Sequence, residues 1–101
     1  MESHGGIDIK IKNKLVELLG VLFPGAQIYL YGSRANGTFR NLSDIDLAID
    51  AGKTMARTEL SEARSILESV HMPYKIDIVD INNVSKELKD DILSKGVLWN
   101  R

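Results

Sequence analysis

The sequence contains no cysteine among its 101 residues, which excludes disulfide bonds and metal or iron–sulfur sites held by thiolates. Its two histidines are too few for a histidine-rich metal cluster. No apolar run approaches the roughly 18–20 residues that a membrane-spanning helix needs, and the polar first six residues do not resemble a secretion signal. We therefore expect a cytoplasmic protein with no membrane partner.

An excess of charge of either sign is also lacking. Lys and Arg number 13 and Asp and Glu number 14, so the net charge is −1. Nucleic-acid-binding domains usually carry a basic excess, and the balance disfavours direct nucleic-acid binding. What is present is an ordinary globular composition, with 44% hydrophobic and 27% charged residues. The length predicts a single domain over residues 1–101, with little room for a second, substrate-binding domain.

Hydrophobic periodicity predicts alternating helices and strands. Asp8 is placed to cap a first helix that ends near Leu22. The other predicted elements are a strand at 26–31, a short helix capped by Ser33 and ended by Gly37, a strand at 44–50, a helix at 54–70, a strand at 75–81 and a helix capped by Ser85. The apolar tail 97–99 is expected to pack back on the sheet.

This order, α-β-α-β-α-β-α, predicts an α/β (α+β) fold with a small mixed three-stranded sheet and helices packed on one face. The second and third strands are joined through a helix and should run parallel. The short connection between the first and second strands favours an antiparallel pair.

Three aspartates carry the clearest chemical signal. Asp44 and Asp46 lie two residues apart in a strand and so share one face, and parallel pairing places Asp77 beside Asp46. Carboxylates this close repel, and a hard divalent cation is the usual remedy. Ligands that are all oxygen favour Mg²⁺ or Mn²⁺, and we predict that the three aspartates are catalytic and hold two such ions. Asp50 and Asp80 are expected to be solvated charges at strand ends.

The Gly32-Ser33 pair stands where a strand meets a helix. Glycine allows close approach of a ligand to the backbone, and a helix N-terminus offers free N–H groups to phosphate. The Ser33 hydroxyl adds a donor, and Arg34 is a further candidate to contact a phosphate. Antiparallel strands would bring this turn beside the carboxylates. We therefore predict a nucleoside triphosphate–Mg²⁺ site, with Gly32, Ser33 and Arg34 binding the nucleotide.

The spacing of these residues resembles the signature of the DNA polymerase beta nucleotidyltransferase superfamily. Gly32-Ser33 is followed by ten residues and then by Asp44-Ile45-Asp46, within the segments YGSRANG, SDIDLAI and KIDIVD. The whole chain is similar to the minimal nucleotidyltransferases, the MNT group. The resemblance implies the nucleotidyltransferase fold, metal ligation by the three aspartates and triphosphate binding by Gly32 and Ser33.

Minimal nucleotidyltransferases resemble the catalytic half of larger enzymes and work with a separate helical protein of the HEPN or nucleotidyltransferase-substrate-binding type. Some of these pairs are toxin–antitoxin modules, in which the MNT protein is the antitoxin and adenylylates a tyrosine of the HEPN toxin. The resemblance therefore implies an antitoxin that uses Mg²⁺ to transfer a nucleoside monophosphate, AMP from ATP, to a cognate helical partner.

Two other functions stay open at the level of the sequence. One is a non-catalytic antitoxin that neutralises its partner by occupancy. The other is an enzyme that modifies a small molecule, as aminoglycoside nucleotidyltransferases do. The lack of an acceptor domain counts against that function, but a homodimer could build the acceptor pocket between its subunits. No motif indicates which base the protein prefers.

Overall fold

The first helix follows directly from the sequence. In the computed structural model, which describes residues 5–100, α1 spans Ile9–Leu22. The Asp8 carboxylate accepts a hydrogen bond from the Lys10 backbone N–H at 2.7 Å and so satisfies one of the free donors of the first turn. Leu15 and Leu19, on the apolar face of the helix, are completely buried. The predicted cap and the predicted end near Leu22 are both confirmed.

The remaining elements alternate as predicted. They are β1 (Gln27–Tyr31), α2 (Ser33–Asn36), β2 (Ile45–Asp50), α3 (Arg57–Ser69), β3 (Ile76–Asp80), a single 3₁₀ turn (Ile81–Asn83), α4 (Lys86–Lys95) and β4 (Val97–Leu98).

The sheet has the spatial order β3-β2-β1-β4. Strands β2 and β3 are parallel, and β1 is antiparallel to both β2 and β4. Both predicted pairings are confirmed. The predicted number of three strands is wrong, because the tail does more than pack on the sheet and adds a fourth strand of two residues. A strand this short leaves no periodicity that a sequence pattern could detect.

The two faces of the sheet are covered differently. Ile45, Leu47 and Ile49 are completely buried in the main core, which includes residues of α1 and α3. On the opposite face, Ala48 packs in a smaller cluster with Ile92 of α4. The prediction that helices cover only one face is therefore wrong. On this face of β2, the small uncharged residue Ala48 lies between Asp46 and Asp50. Because Ala48 carries no charge and little bulk, α4 can pack against it.

The C-terminal segment continues the sheet beyond β4. The Trp99 backbone N–H donates to the Ile28 carbonyl at 2.8 Å, and its indole is buried in the main core. The Asn100 side chain then accepts from the Ile28 N–H at 2.7 Å and donates to the Ala26 carbonyl at 2.8 Å. One amide side chain thus replaces the hydrogen bonds of a further strand residue.

The end of β3 differs from its prediction. Asp80 is 4% exposed, and its carboxylate accepts hydrogen bonds from the backbone N–H groups of Met55 at 2.8 Å and Asn82 at 2.9 Å. The prediction of a solvated charge at Asp80 is therefore wrong. Because Met55 is tied to this carboxylate, α3 begins only at Arg57, three residues later than predicted. Asp50 also accepts from the Asn82 side chain, at 2.9 Å.

Within residues 5–100, no helix is both long and apolar enough to cross a lipid bilayer.

Candidate functional site

The turn between β1 and α2 requires glycine. Gly32 has φ 76° and ψ −152°, a conformation that is essentially restricted to glycine. It is the N-cap of α2, so the prediction that Ser33 is the cap is wrong by one residue, and Ser33 instead opens the helix. Gly37 ends this helix in the left-handed conformation, as predicted. Since Ser33 is the first helical residue, its N–H has no carbonyl one turn earlier to bond to.

The strand register brings two of the predicted carboxylates together beside this turn. Asp46 is the partner of Asp77 across the parallel β2–β3 pair and of Tyr31 across the antiparallel β1–β2 pair. A Cβ atom at Gly32 would lie 2.6 Å from Oδ2 of Asp46. The turn therefore lies against Asp46, close enough that only glycine fits.

The environment of Asp46 makes its ionisation unfavourable. Burial raises the pKa of the Asp46 carboxyl above its ordinary value, and the charges of Asp77 and then Asp44 add to the rise. The ionised form of Asp46 is therefore held at a cost in free energy, which a cation at this face would relieve.

Tyr31 shares this environment. Burial raises the pKa of its hydroxyl to about 12, with Asp46 and Asp77 contributing in the same direction and Arg64 opposing them. The shift therefore keeps the hydroxyl a hydrogen-bond donor even in alkaline solution. Arg64 reaches from α3 to donate to the Ile78 carbonyl at 2.9 Å, and this bond holds its guanidinium against β3.

The donor chemistry fits a divalent metal. All three candidates offer only carboxylate oxygens, the ligands that Mg²⁺ and Mn²⁺ prefer. In the described part of the chain, however, no three acidic or histidine side chains already converge closely enough to form a metal-binding group. The expectation that Asp44, Asp46 and Asp77 converge is therefore only partly met. Asp44 lies one residue before β2 and is exposed. Repulsion between its charge and those of Asp46 and Asp77 favours a position outside the strand pair.

Arg34 does not have the position predicted for a phosphate ligand. Its side chain is 2% exposed, and its guanidinium donates to the backbone carbonyls of Ser43 and Asn41, both at 3.1 Å. The prediction that it binds nucleotide is not supported, because these donors are turned into the protein. From the sequence alone, an arginine beside a Gly-Ser pair suits either role.

A recess lies beside the turn, and no sequence pattern indicates it. Gly32 and Asn36 border it on one side, and Asp91 and Lys95 of α4 border it on the other. Lys95 forms an ion pair with Asp91 at 3.2 Å. A lysine in the last turn of a helix is common, since it complements the helix dipole, and so nothing in the pattern singled it out.

Replacing Gly32 tests the close contact between the turn and Asp46. We expect Gly32→Ala to slow any reaction at this site by at least about 100-fold, because the added methyl must displace Asp46 or the turn, and shifts near 1 Å can have that effect. Gly25→Ala is the matched control, since Gly25 also has a positive φ (79°) but its Cβ would meet no atom within 4 Å. Equal rates for the two variants would contradict the prediction. Circular dichroism would verify that both fold.

One family model covers most of the chain. The family model described as "Polymerase beta, Nucleotidyltransferase" matches residues 10–100.

Two proteins named as MntA adenylyltransferases are similar in sequence to this chain. The chain is 37% identical over 94 residues to protein adenylyltransferase MntA of Shewanella oneidensis, a match that covers 87% of this chain and 64% of that protein. It is 30% identical over 97 residues to the probable protein adenylyltransferase MntA of Haemophilus influenzae, with 91% of this chain and 82% of that protein covered. The chain thus spans less than two thirds of the length of the Shewanella relative.

Solved structures show the same fold. One is a crystal structure of a toxin–antitoxin with AMP-PNP, which aligns with a TM-score of 0.75 and 31% identity over 88% of this chain and 72% of that chain. Another is the tri-AMPylated HEPN toxin of Shewanella oneidensis in complex with MNT antitoxin, with a TM-score of 0.73, 26% identity, and 93% and 72% of the two chains covered.

Proposed function

The chain belongs to the polymerase beta nucleotidyltransferase family, and from this premise we propose that it transfers AMP from ATP to a hydroxyl group of a protein. The observation that carries the proposal is the contact between Gly32 and Asp46, with Asp77 as the strand neighbour of Asp46. This arrangement sets a phosphate-binding turn directly against a carboxylate pair. The names of the two relatives and the AMP-PNP in a similar structure support ATP as the substrate.

Each residue has a role that follows from its position. The bare backbone of Gly32 and the N–H of Ser33 receive the triphosphate beside Asp46. Asp44, Asp46 and Asp77 would hold the metal, Mg²⁺ or Mn²⁺ and two ions in our prediction. When bound, the metal neutralises phosphate charge and lowers the pKa of the attacking hydroxyl.

Transfer forms a bond from the acceptor oxygen to the α-phosphorus and breaks the bond to the bridging oxygen, which leaves with pyrophosphate. Asp77 lies beside Asp46 on the edge strand β3, where a carboxylate can accept the proton of the acceptor hydroxyl. The chain thereby supplies alignment, charge neutralisation and a proton acceptor.

The acceptor that we propose is a tyrosine of a cognate helical HEPN-type protein, with this chain acting as its antitoxin. The solved complex of an AMPylated HEPN toxin with an MNT antitoxin supports this assignment. Such a pair would work in the cytoplasm, as the sequence analysis predicts.

Intact-mass spectrometry tests the function. The chain is incubated with the protein encoded by its neighbouring gene, which we expect to be helical, and with Mg²⁺ and each of the four nucleoside triphosphates. We expect the partner to gain adenylyl units with ATP, and we expect the gain to disappear with EDTA and to fall at least about 100-fold with Asp44→Asn, since a metal ligand is lost. Asp90→Asn, at an exposed position of α4, should behave as wild type.

Each result separates the candidate functions. Transfer that persists at the wild-type rate in Asp44→Asn would contradict the assignment of this site. A stable complex without any mass gain, in which Asp44→Asn still neutralises the partner, would favour inhibition by occupancy.

A further inference from the structure

The buried guanidinium of Arg34 joins three separate parts of the chain. Besides Ser43 and Asn41, it donates to the carbonyl of Arg40 at 3.4 Å and, through Nη1, to the buried carbonyl of Gly5 at 2.7 Å. These four hydrogen bonds occupy most of its five N–H donors. The residue thus connects the segment before α1 to the loop that leads from α2 to β2.

Aromatic contacts strengthen the same junction. The guanidinium carbon of Arg34 lies 5.0 Å from the centre of the Phe39 ring and 4.6 Å from that of Tyr74, within the range of cation–π attraction. Phe39 belongs to the loop, and Tyr74 precedes β3. Among residues 5–100, the charge of Arg34 is therefore stabilised by backbone carbonyl dipoles and by the faces of two aromatic rings.

The segment before α1 packs directly against this loop. Gly6 has φ 73°, and a Cβ atom there would overlap the Phe39 ring. The close approach of backbone to ring is therefore possible only for glycine. The glycine pair at 5–6 consequently touches both the guanidinium of Arg34 and the ring beside it.

The loop at residues 38–43 sets the position of Asp44. Two hydrogen bonds close it on itself, from the Ser43 N–H to the Arg40 carbonyl at 3.0 Å and from the Arg40 N–H to the Ser43 hydroxyl at 2.7 Å. The sheet ladder begins only at Ile45, whose N–H donates to the Lys75 carbonyl at 2.9 Å. Asp44 therefore stands between the loop and the first paired residue, and its placement depends on how the loop is held.

We propose that Gly5, Gly6, Arg34 and Phe39 form a clasp that positions Asp44, so that the two glycines at 5–6 are part of the architecture of the site. Arg34 is then a positioning residue, acting through the Ser43 carbonyl on the residue that follows. The importance of this clasp for transfer depends on the proposed function, whereas its effect on the loop does not.

A pair of glycine variants tests the clasp. Gly6→Ala and Gly25→Ala both place a methyl at a positive φ, but only the methyl at Gly6 meets the loop. Arg40 is an exposed loop residue, so trypsin cleavage after Arg40 reports the order of the loop, and cleavage after the exposed Arg57 is the internal reference. We expect Gly6→Ala to accelerate cleavage after Arg40 relative to Arg57 by about tenfold, and Gly25→Ala to leave the ratio unchanged.

Metal affinity supplies the second measurement. With Mn²⁺ alone as the probe, followed by electron paramagnetic resonance, we expect Gly6→Ala to weaken binding several-fold because Asp44 is displaced. In the transfer assay the same variant should lose about tenfold in kcat with little change in KM for ATP. If Gly6→Ala does not fold, Phe39→Leu removes the ring without adding backbone strain and should change both measurements in the same direction.

Equal cleavage ratios for the two glycine variants would overturn the clasp. Faster cleavage with unchanged Mn²⁺ affinity would overturn the positioning of Asp44. A wild-type protein without transfer activity would count against the proposed function. The trypsin cleavage ratio and the Mn²⁺ affinity would still test the clasp in that case.

Discussion

Asp46→Asn should abolish transfer and at the same time stabilise the metal-free protein. Asp46 is the central carboxylate of the site, paired with Asp77 and in contact range of the Gly32 turn. The amide of Asn cannot replace the charge of Asp46 as a metal ligand. The loss of several kcal/mol of transition-state stabilisation lowers the transfer rate by at least about 1000-fold. The same charge is repelled by Asp77 and Asp44 when no cation is present, so its removal relieves the folded state.

The sign of the stability effect follows from the raised pKa of Asp46. A carboxyl whose pKa is higher in the folded than in the unfolded state disfavours folding when it is ionised, so the benefit of Asn is full at neutral pH. It shrinks as the pH falls through the raised pKa and is lost below the ordinary value of 3.8. Because Asp46 is only half-buried, solvent screens part of the repulsion, and we expect a rise in Tm of about 1–4 °C.

Thermal unfolding in EDTA at pH 7 and at pH 3 would measure this effect. Asp90→Asn is the matched control, since it removes the same charge from an exposed residue of α4 that is none of the three predicted metal ligands. A Tm for Asp46→Asn no higher than that of Asp90→Asn at pH 7 would contradict the electrostatic account. Transfer at more than a tenth of the wild-type rate would contradict the role of Asp46.

The sequence was sufficient to predict the features that depend on local pattern. Alternation in β2 placed Asp46 on the face opposite Ile45 and Leu47, and the helix between β2 and β3 required the parallel register that pairs Asp46 with Asp77. The Gly32 turn followed from a glycine at the end of a strand. These predictions succeeded because each rests on a local period, a single turn or the rule that strands joined through a helix run parallel.

The features that were missed depend on contacts distant in sequence. The hydrogen bond from Arg34 to Gly5 joins residues 29 apart. The bond that Asn100 accepts from Ile28 and the bond that it donates to Ala26 join residues 72 and 74 apart. No period links such pairs, and an Arg, Asn or Asp has the same local pattern whether it is solvated or buried with partners. Asp80 was mispredicted for the same reason.

Trp99→Ala should cause the largest loss of stability among these variants. The indole is 6% exposed and belongs to the main core, next to the strand whose Ile28 carbonyl accepts from the Trp99 N–H. Truncating a buried aromatic side chain costs about 3–5 kcal/mol in the free energy of unfolding, a large share of the roughly 5–15 kcal/mol typical of a domain. We therefore expect Tm to fall by at least about 12 °C.

Two further variants isolate the contribution of the ring. Val97→Ala alters a 41%-exposed residue of β4 and should cost no more than about 1 kcal/mol, so it controls for damage to the short strand itself. Trp99→Phe keeps an aromatic ring and should lie between wild type and Trp99→Ala. Because Trp99 is the only tryptophan, urea unfolding is followed by circular dichroism, so that the variants are compared by one signal.

A loss in Trp99→Ala as small as that in Val97→Ala would show that the C-terminal segment rests on the sheet without stabilising it. A loss of stability that increases from Val97→Ala through Trp99→Phe to Trp99→Ala would instead show that residues 97–100 form an integral edge of the sheet.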